Sequence, residues 1–256
     1  MRAACRFNAQ LMDFIRPHVQ PGVTTGHLDQ LIHEYTLDHG HTPACLNYPG
    51  EMGPYPKSCC ISVNEVICHG IPSQLELRPG DIANVDLTTI VDGWFGDQSE
   101  TFLIGSDDEI SEVARQVTQC SFDCLYLAID ALTPGCRVSV IGETIVDHVH
   151  RNYDFSVVEK YVGHGIGTQF HQRPNIPHVP SPQARRDRLH PGVCFTIEPM
   201  INVGVVDSIC DPDDGWTVRT RDGQLSAQFE HTILMTEAGP EVLTLTQDGP
   251  QAGHQF

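Results

Sequence analysis

The chain has 256 residues, 40% hydrophobic and 19% charged, which suits one large domain or two small ones with a sizeable core and excludes a disordered chain. Asp and Glu total 33 against 15 Lys and Arg, a formal charge of -18; this argues against nucleic-acid binding by phosphate neutralisation and leaves room for bound divalent cations. No apolar run is long enough to span a bilayer, and the opening MRAACRFNAQLMDF has no signal-peptide core, so a cytoplasmic protein with ten reduced, scattered cysteines is expected.

Phe7, Leu11, Phe14 and Ile15 recur at helical spacing. Pro21-Gly22 breaks that pattern, and Leu28, Leu31, Ile32 and Tyr35 predict a second helix ending near Gly40. LRPGDIANVD, from Leu77 to Asp86, reads as a turn into an apolar strand. Asp92-Gly93 between two apolar runs then predicts a two-residue hairpin. With that turn Val91 pairs with Trp94 and Thr88 with Asp97, which sets Asp97 diagonal to Asp86 on one sheet face. Two carboxylates therefore converge on strands otherwise suited to a core.

Ser106 and Glu109 read as a capping box ahead of a helix with the stripe Val113, Val117, Cys120 and Cys124. Pro134-Gly135 interrupts, and Ile141, Ile145 and Val149 predict a fourth helix. In GHGIG, Gly163 to Gly167, His164 stands between glycines that let the backbone bend close to a ligand. LHPGVCFTIE, from Leu189 to Glu198, repeats LRPGDIANVD at an offset of 112, and the helical Pro-Gly pairs differ by 113. Two landmarks at nearly one offset predict an internal duplication with halves of about 4–105 and 106–246, in which Asp86 and Glu198 occupy matching places. FTIEPM carries Glu198 inside an apolar strand, and SAQFEHTILM carries Glu230 inside another.

Four carboxylates in apolar strands repel one another and take up protons unless positive charge compensates. No Lys or Arg lies within the hairpin to supply it. Together with the His164 imidazole, the acids form an oxygen-rich set suited to manganese, ferrous iron, cobalt or zinc, and two divalent ions would balance four negative charges. GHGIG lacks the spacing of a dinucleotide fingerprint, and HExxH, GxSxG and the Walker loop are absent.

YPKS (Tyr55–Ser58), NEVICHGIP (Asn64–Pro72), the two-acid hairpin, GHGIG followed by Phe170-His171, FTIEPM and SAQFEHT together resemble type I methionine aminopeptidases, within the wider pita-bread metallohydrolases. The resemblance runs from roughly Arg6 to Thr246. It implies an α+β pita-bread fold: one catalytic domain over residues 1–256, a curved antiparallel sheet in two pseudo-symmetric halves, and helices on the outer face. It implies that Asp86 chelates one of two metals, that Asp97 and Glu230 bridge both, and that His164 and Glu198 complete the second. A water activated between the ions would attack the first peptide bond. Glu198 would carry a proton to the leaving amine, His171 would hold the carbonyl oxygen, and His69 would lie near the peptide nitrogen.

By the same resemblance the pocket for methionine is walled by Cys45, Tyr48, Tyr55, Cys60, His69, Phe170 and Trp216, and the substrate is the N-terminal methionine of nascent chains with a small second residue. The chain departs from the family pattern in an extra segment, Glu51–Pro54, and in Phe95 and Gln98 beside Asp97, which would touch the surroundings of the ligands. The span from Glu198 to Glu230 is too short for the long helical insertion of type II relatives, and neither an amino-terminal zinc-binding extension nor the preceding domain of proline-directed relatives is expected. A monomer is expected, without membrane or sequence-specific nucleic-acid partners. The basic groups ARRDR (Ala184–Arg188) and Arg219 with Arg221 offer a ribosome contact. The alternatives are a dinuclear Xaa-Pro aminopeptidase and an inactive pita-bread binding protein; the latter would be expected to lack a ligand, and all five are present.

Overall fold

In a computed structural model describing residues 1–256, the first apolar stripe folds as α1 (Arg2–Ile15) and the second as α2 (Thr25–Asp38). Phe7, Leu11 and Ile15 are buried on α1, and Leu28 and Ile32 on α2. Thr24 accepts the His27 amide at 3.2 Å, satisfying one of the free N–H groups at the start of α2. Further along lie α3 (Glu112–Asp130) and α4 (Ser139–Asn152), which pack on each other. Ile141, Ile145 and Val149 are wholly buried on α4.

The start of α3 differs from expectation. Glu109 accepts from the Ser106 amide at 2.9 Å as a capping box would, but the pair closes only a turn. The helix begins later, with the Ser111 hydroxyl accepting from the Ala114 amide at 3.2 Å. Val113 thus falls in the first turn and is exposed, whereas Val117, Cys120 and Cys124 are buried.

Between the helix pairs run β1 (Thr42–Pro43), β2 (Cys60–Val63), β3 (Val66–Cys68), β4 (Ile82–Val91) and β5 (Trp94–Leu103). After α4 come β6 (Ser156–Val157), β7 (Gly163–Gly165), β8 (Gln172–Ile176), β9 (Cys194–Ile197) and β10 (Met200–Asn202). The last are β11 (Ser208–Cys210), β12 (Val218–Thr220), β13 (Ser226–Gln228), β14 (His231–Thr236) and β15 (Gly239–Val242). Pairing is antiparallel throughout, with β4 at the centre of one sheet and β15-β14-β9-β7-β8 forming another.

The β4–β5 hairpin has the predicted register: Val91 pairs with Trp94 and Thr88 with Asp97. Asp92 and Gly93 both take positive φ, +50° and +82°, as the tight turn requires. Side chains alternate along β4. Ala83, Val85 and Leu87 pack with Leu11, Met12 and Ile15 of α1, leaving Asn84, Asp86 and Thr88 on the opposite face. The second half repeats this layering, with Phe195, Ile197 and Phe229 in the core under α3 and α4, and Thr196, Glu198, Gln228 and Glu230 directed the other way.

Glu198 and Glu230 stand at breaks between strands, not inside them. The β9–β14 ladder ends at Ile197 paired with His231, and β10–β13 starts at Met200 paired with Gln228. Pro199 has no N–H to continue a ladder, so the chain turns a corner there. Glu230 bridges instead to Ser99, donating its amide to the Ser99 carbonyl at 3.0 Å. Asn84 and Thr101 also reach the Gln228 carbonyl, at 2.8 and 2.6 Å, tying the two halves together.

Candidate active site

The inward faces of β4, β5, β7 and the two strand corners meet in one cavity of about 260 Å³. Asp86, Asp97, His164, Glu198 and Glu230 all line it, as do His69, His171, Cys45, Tyr48, Tyr55, Cys60, Phe170 and Trp216. Donor atoms of Asp97, His164 and Glu230 lie within 4.8 Å of one another. His164 Nε2 is 3.5 Å from Asp97 Oδ2 and 3.7 Å from Glu198 Oε1.

Four further groups position the acids. Thr88 donates its hydroxyl to Asp97 Oδ1 at 2.7 Å. Thr196 donates to Glu198 Oε1 at 2.9 Å while accepting the His164 amide at 3.0 Å, so one hydroxyl fixes both a carboxylate and the strand carrying the imidazole. Gln228 Nε2 reaches the other Glu198 oxygen at 3.3 Å, and the Glu198 amide donates to Nε2 of the fully buried His178 at 3.1 Å. Sequence patterns did not single out Thr196, Gln228 or His178: Gln228 and His178 reach Glu198 only through long-range pairing, and the Thr196 bond to Glu198, two residues along, depends on the strand corner between them.

The charge balance of this cluster is one-sided. Asp97 and Glu230 are 3% exposed, and none of the four acids forms an ion pair with lysine or arginine; their only ion-pair contacts run to His164. Burial pushes the Asp86 carboxyl up to about 7. Burial and then the neighbouring carboxylates push Asp97, Glu198 and Glu230 well above the ordinary range. His164 cannot neutralise them, because burial lowers it to about 3. With Nδ1–H donating to the Gly165 carbonyl at 3.1 Å, its Nε2 presents a bare lone pair to the carboxylates. Lone pairs facing lone pairs in a buried site fit a cation, and this oxygen-rich set with one imidazole fits a divalent metal.

The glycines of GHGIG serve strand packing. A Cβ at Gly163 would meet the Thr196 carbonyl oxygen at 2.5 Å and one at Gly165 the Arg173 carbonyl oxygen at 2.3 Å, so they let β7 sit tightly between its neighbours instead of opening the backbone to a ligand.

Around the cluster of acids, His171 stacks on Phe170 at 4.1 Å and meets the Tyr48 hydroxyl through Nδ1 at 2.7 Å. His69 sits at φ +57°, a sparsely populated conformation held where the surroundings enforce it. Burial lowers it to about 4, so it is neutral at pH 7. Tyr55 and Trp216 meet edge to face at 5.2 Å, and Tyr161, Lys160 and Met200 complete the wall.

The Glu51–Pro54 segment folds over Trp216, whose indole N–H donates to the Gly53 carbonyl at 3.3 Å. Of the two departures beside Asp97, Phe95 stacks on Phe170 at 5.4 Å on the cavity side. Gln98 pairs with Leu87 and so faces α1, away from the acid cluster.

Residues 1–237 match the model of metallopeptidase family M24. The chain is 48% identical over 246 residues to methionine aminopeptidase A of Synechocystis, covering 96% of this chain and 93% of that one. It is 46% identical over 250 residues to the methionine aminopeptidase of Escherichia coli K12, covering 97% and 91%. The crystal structure of methionine aminopeptidase from Rickettsia prowazekii superposes with a TM-score of 0.88 at 43% identity over 95% of both chains. The prolidase of Pyrococcus furiosus shares the fold alone, with a TM-score of 0.73 at 18% identity, over 96% of this chain and 63% of its own length.

Proposed function

The chain belongs to metallopeptidase family M24 and has the pita-bread fold, and from this premise we propose that it removes the N-terminal methionine of peptides and nascent proteins whose second residue is small. The observation that carries this is the convergence of four uncompensated carboxylates, one imidazole and an apolar aromatic wall on one cavity. Asp86, Asp97, His164, Glu198 and Glu230 are the residues to hold two divalent ions of the manganese, ferrous iron, cobalt or zinc group. Ions bound there would lower the pKa of a water and stabilise negative charge on the scissile carbonyl.

The protein's own groups supply the rest. Tyr48 keeps its phenolic proton, because burial raises its pKa, and donates it to His171 Nδ1. His171 Nε2 then carries a proton to offer the carbonyl oxygen of the scissile amide. Glu198, held at both oxygens by Thr196 and Gln228, takes a proton from the attacking water and returns it to the leaving nitrogen. Neutral His69 lies ready to hydrogen-bond that nitrogen. Tyr55, Phe170, Trp216, Cys45 and Cys60 enclose an unbranched thioether in polarisable surroundings.

The reading extends to a cytoplasmic monomer working on chains as they leave the ribosome. Two of the basic side chains offered for a ribosome contact are already engaged: Arg219 pairs with Glu65 at 2.7 Å and Arg185 lies 3.9 Å from Glu143.

The test is a comparison of three peptides with metal-loaded protein. Release of methionine from Met-Ala-Ser, with Met-Leu-Ser and Ala-Pro-Ser left intact, supports the proposal. Release of alanine from Ala-Pro-Ser identifies an Xaa-Pro enzyme, and no release at all identifies a binding protein.

A further inference from the structure

The seam between α3 and α4 holds a second set of metal-ligating side chains. Cys120 and Cys124 stand four residues apart on one face of α3, and His148 meets them from α4; donor atoms of the three lie within 4.8 Å of one another. None of these residues lines the catalytic cavity. Both thiols are wholly buried in the core that includes Val117 and Ile145, and packing alone accounts for them. Packing does not account for His148. The Asn152 side-chain Nδ2 donates to the His148 carbonyl at 2.8 Å and lies 3.3 Å from the ring Nδ1, while Nε2 is buried without a hydrogen-bond partner, a state that carries an uncompensated desolvation penalty. Asp123 Oδ2 lies 4.0 Å from that nitrogen.

We propose that Cys120, Cys124 and His148 bind one zinc-class ion, with Asp123 in reach of the fourth position, and that this ion pins α3 to α4. The spacing, two cysteines separated by three residues with a histidine from another element, lies within the range of structural zinc sites. Its sulfur and nitrogen donors are softer than the carboxylates of the cavity, so the two sites sort metals: zinc or cobalt at the helix seam, and oxygen-seeking ions such as manganese only in the cavity. Binding requires both thiols to lose their protons to solvent. Occupancy therefore rises with pH.

Cobalt titration of the full-length metal-free protein tests this through the thiolate-to-cobalt charge-transfer band in the near ultraviolet, because no carboxylate or imidazole ligand of the cavity produces one. The expected result is a band whose final intensity corresponds to one thiolate-bound cobalt per chain, reached once cobalt exceeds what the seam and the cavity together can hold. It should be absent from Cys120→Ser and Cys124→Ser, weaker in His148→Ala, and unchanged in Asp97→Asn combined with Glu230→Gln. Two results overturn the proposal: no band in the wild-type protein at any cobalt level, or a band lost on combining Cys45→Ser, Cys60→Ser and Cys68→Ser, the thiols that do line the cavity. Where a serine variant of α3 fails to fold, that triple variant carries the test, since the proposal requires it to keep the full band.

Discussion

Thr88 and Asp97 face each other across the β4–β5 ladder, and the threonine hydroxyl holds one carboxylate oxygen at 2.7 Å. The bond leaves the other oxygen, 3.5 Å from His164, directed to the centre of the cluster. A supporting bond of this kind commonly alters metal affinity about 10- to 100-fold. Thr88→Val should weaken manganese binding about tenfold or more, read by calorimetric titration, whereas Thr88→Ser should stay close to wild type. Equal loss in both variants would mean that the hydroxyl is not what orients Asp97.

Removal of metal should expose the strain among the acids. Asp86 is raised to about 7, and Asp97, Glu198 and Glu230 are raised well above the ordinary carboxylate range, from ordinary values of 3.8 for Asp and 4.5 for Glu. The folded metal-free protein thus keeps protons that the unfolded chain has released. The resulting stability is fully present below about pH 4 and is lost as pH rises through the folded values. The melting temperature of metal-free protein should therefore fall between pH 6 and 8, and the gain from added manganese should grow over the same range. A gain that shrinks with rising pH would contradict the charge balance described above.

The loop over Trp216 should act on binding more than on chemistry. The indole N–H bond to Gly53 contributes roughly 0.5–1.5 kcal/mol if typical. Deleting Glu51–Pro54 should then raise KM for Met-Ala-Ser by about two- to tenfold with kcat nearly unchanged. A fall in kcat with constant KM would place the loop's influence at the reacting atoms instead.

His178 is wholly buried and accepts the Glu198 amide. His178→Leu leaves that N–H without a partner, which should destabilise the metal-free protein by about 1–3 kcal/mol in a urea titration. An unchanged denaturation midpoint would show that the amide finds another acceptor.

Residues whose placement follows from local rules were legible in the sequence. Asp92-Gly93 dictates a two-residue turn, and the turn dictates that Asp97 opposes Thr88, so the convergence of Asp86 and Asp97 could be derived before any coordinates. The stripes of α1, α2 and α4 follow equally from a period near 3.6. Glu198 and Glu230 were identifiable as acids among apolar neighbours, but their positions at strand corners were not, because the break at Pro199 depends on which strands flank it. Thr196 reaches His164 only after β9 joins β7, and His178 reaches Glu198 only after the loop following β8 folds inward. The roles of His69, His171 and the aromatic wall came from motif resemblance alone, since isolated histidines and aromatics carry no such information. Gln98 shows the opposite error: adjacency to Asp97 along the chain suggested a supporting role, and strand alternation turns it to the other face.

The central claim, that Asp86, Asp97, His164, Glu198 and Glu230 hold divalent ions between them, is tested most directly by anomalous diffraction from crystals of metal-free protein soaked in manganese. Two peaks enclosed by these five side chains are predicted. Clear density for the five residues with no peak among them, or manganese found only at other places on the protein, would contradict it.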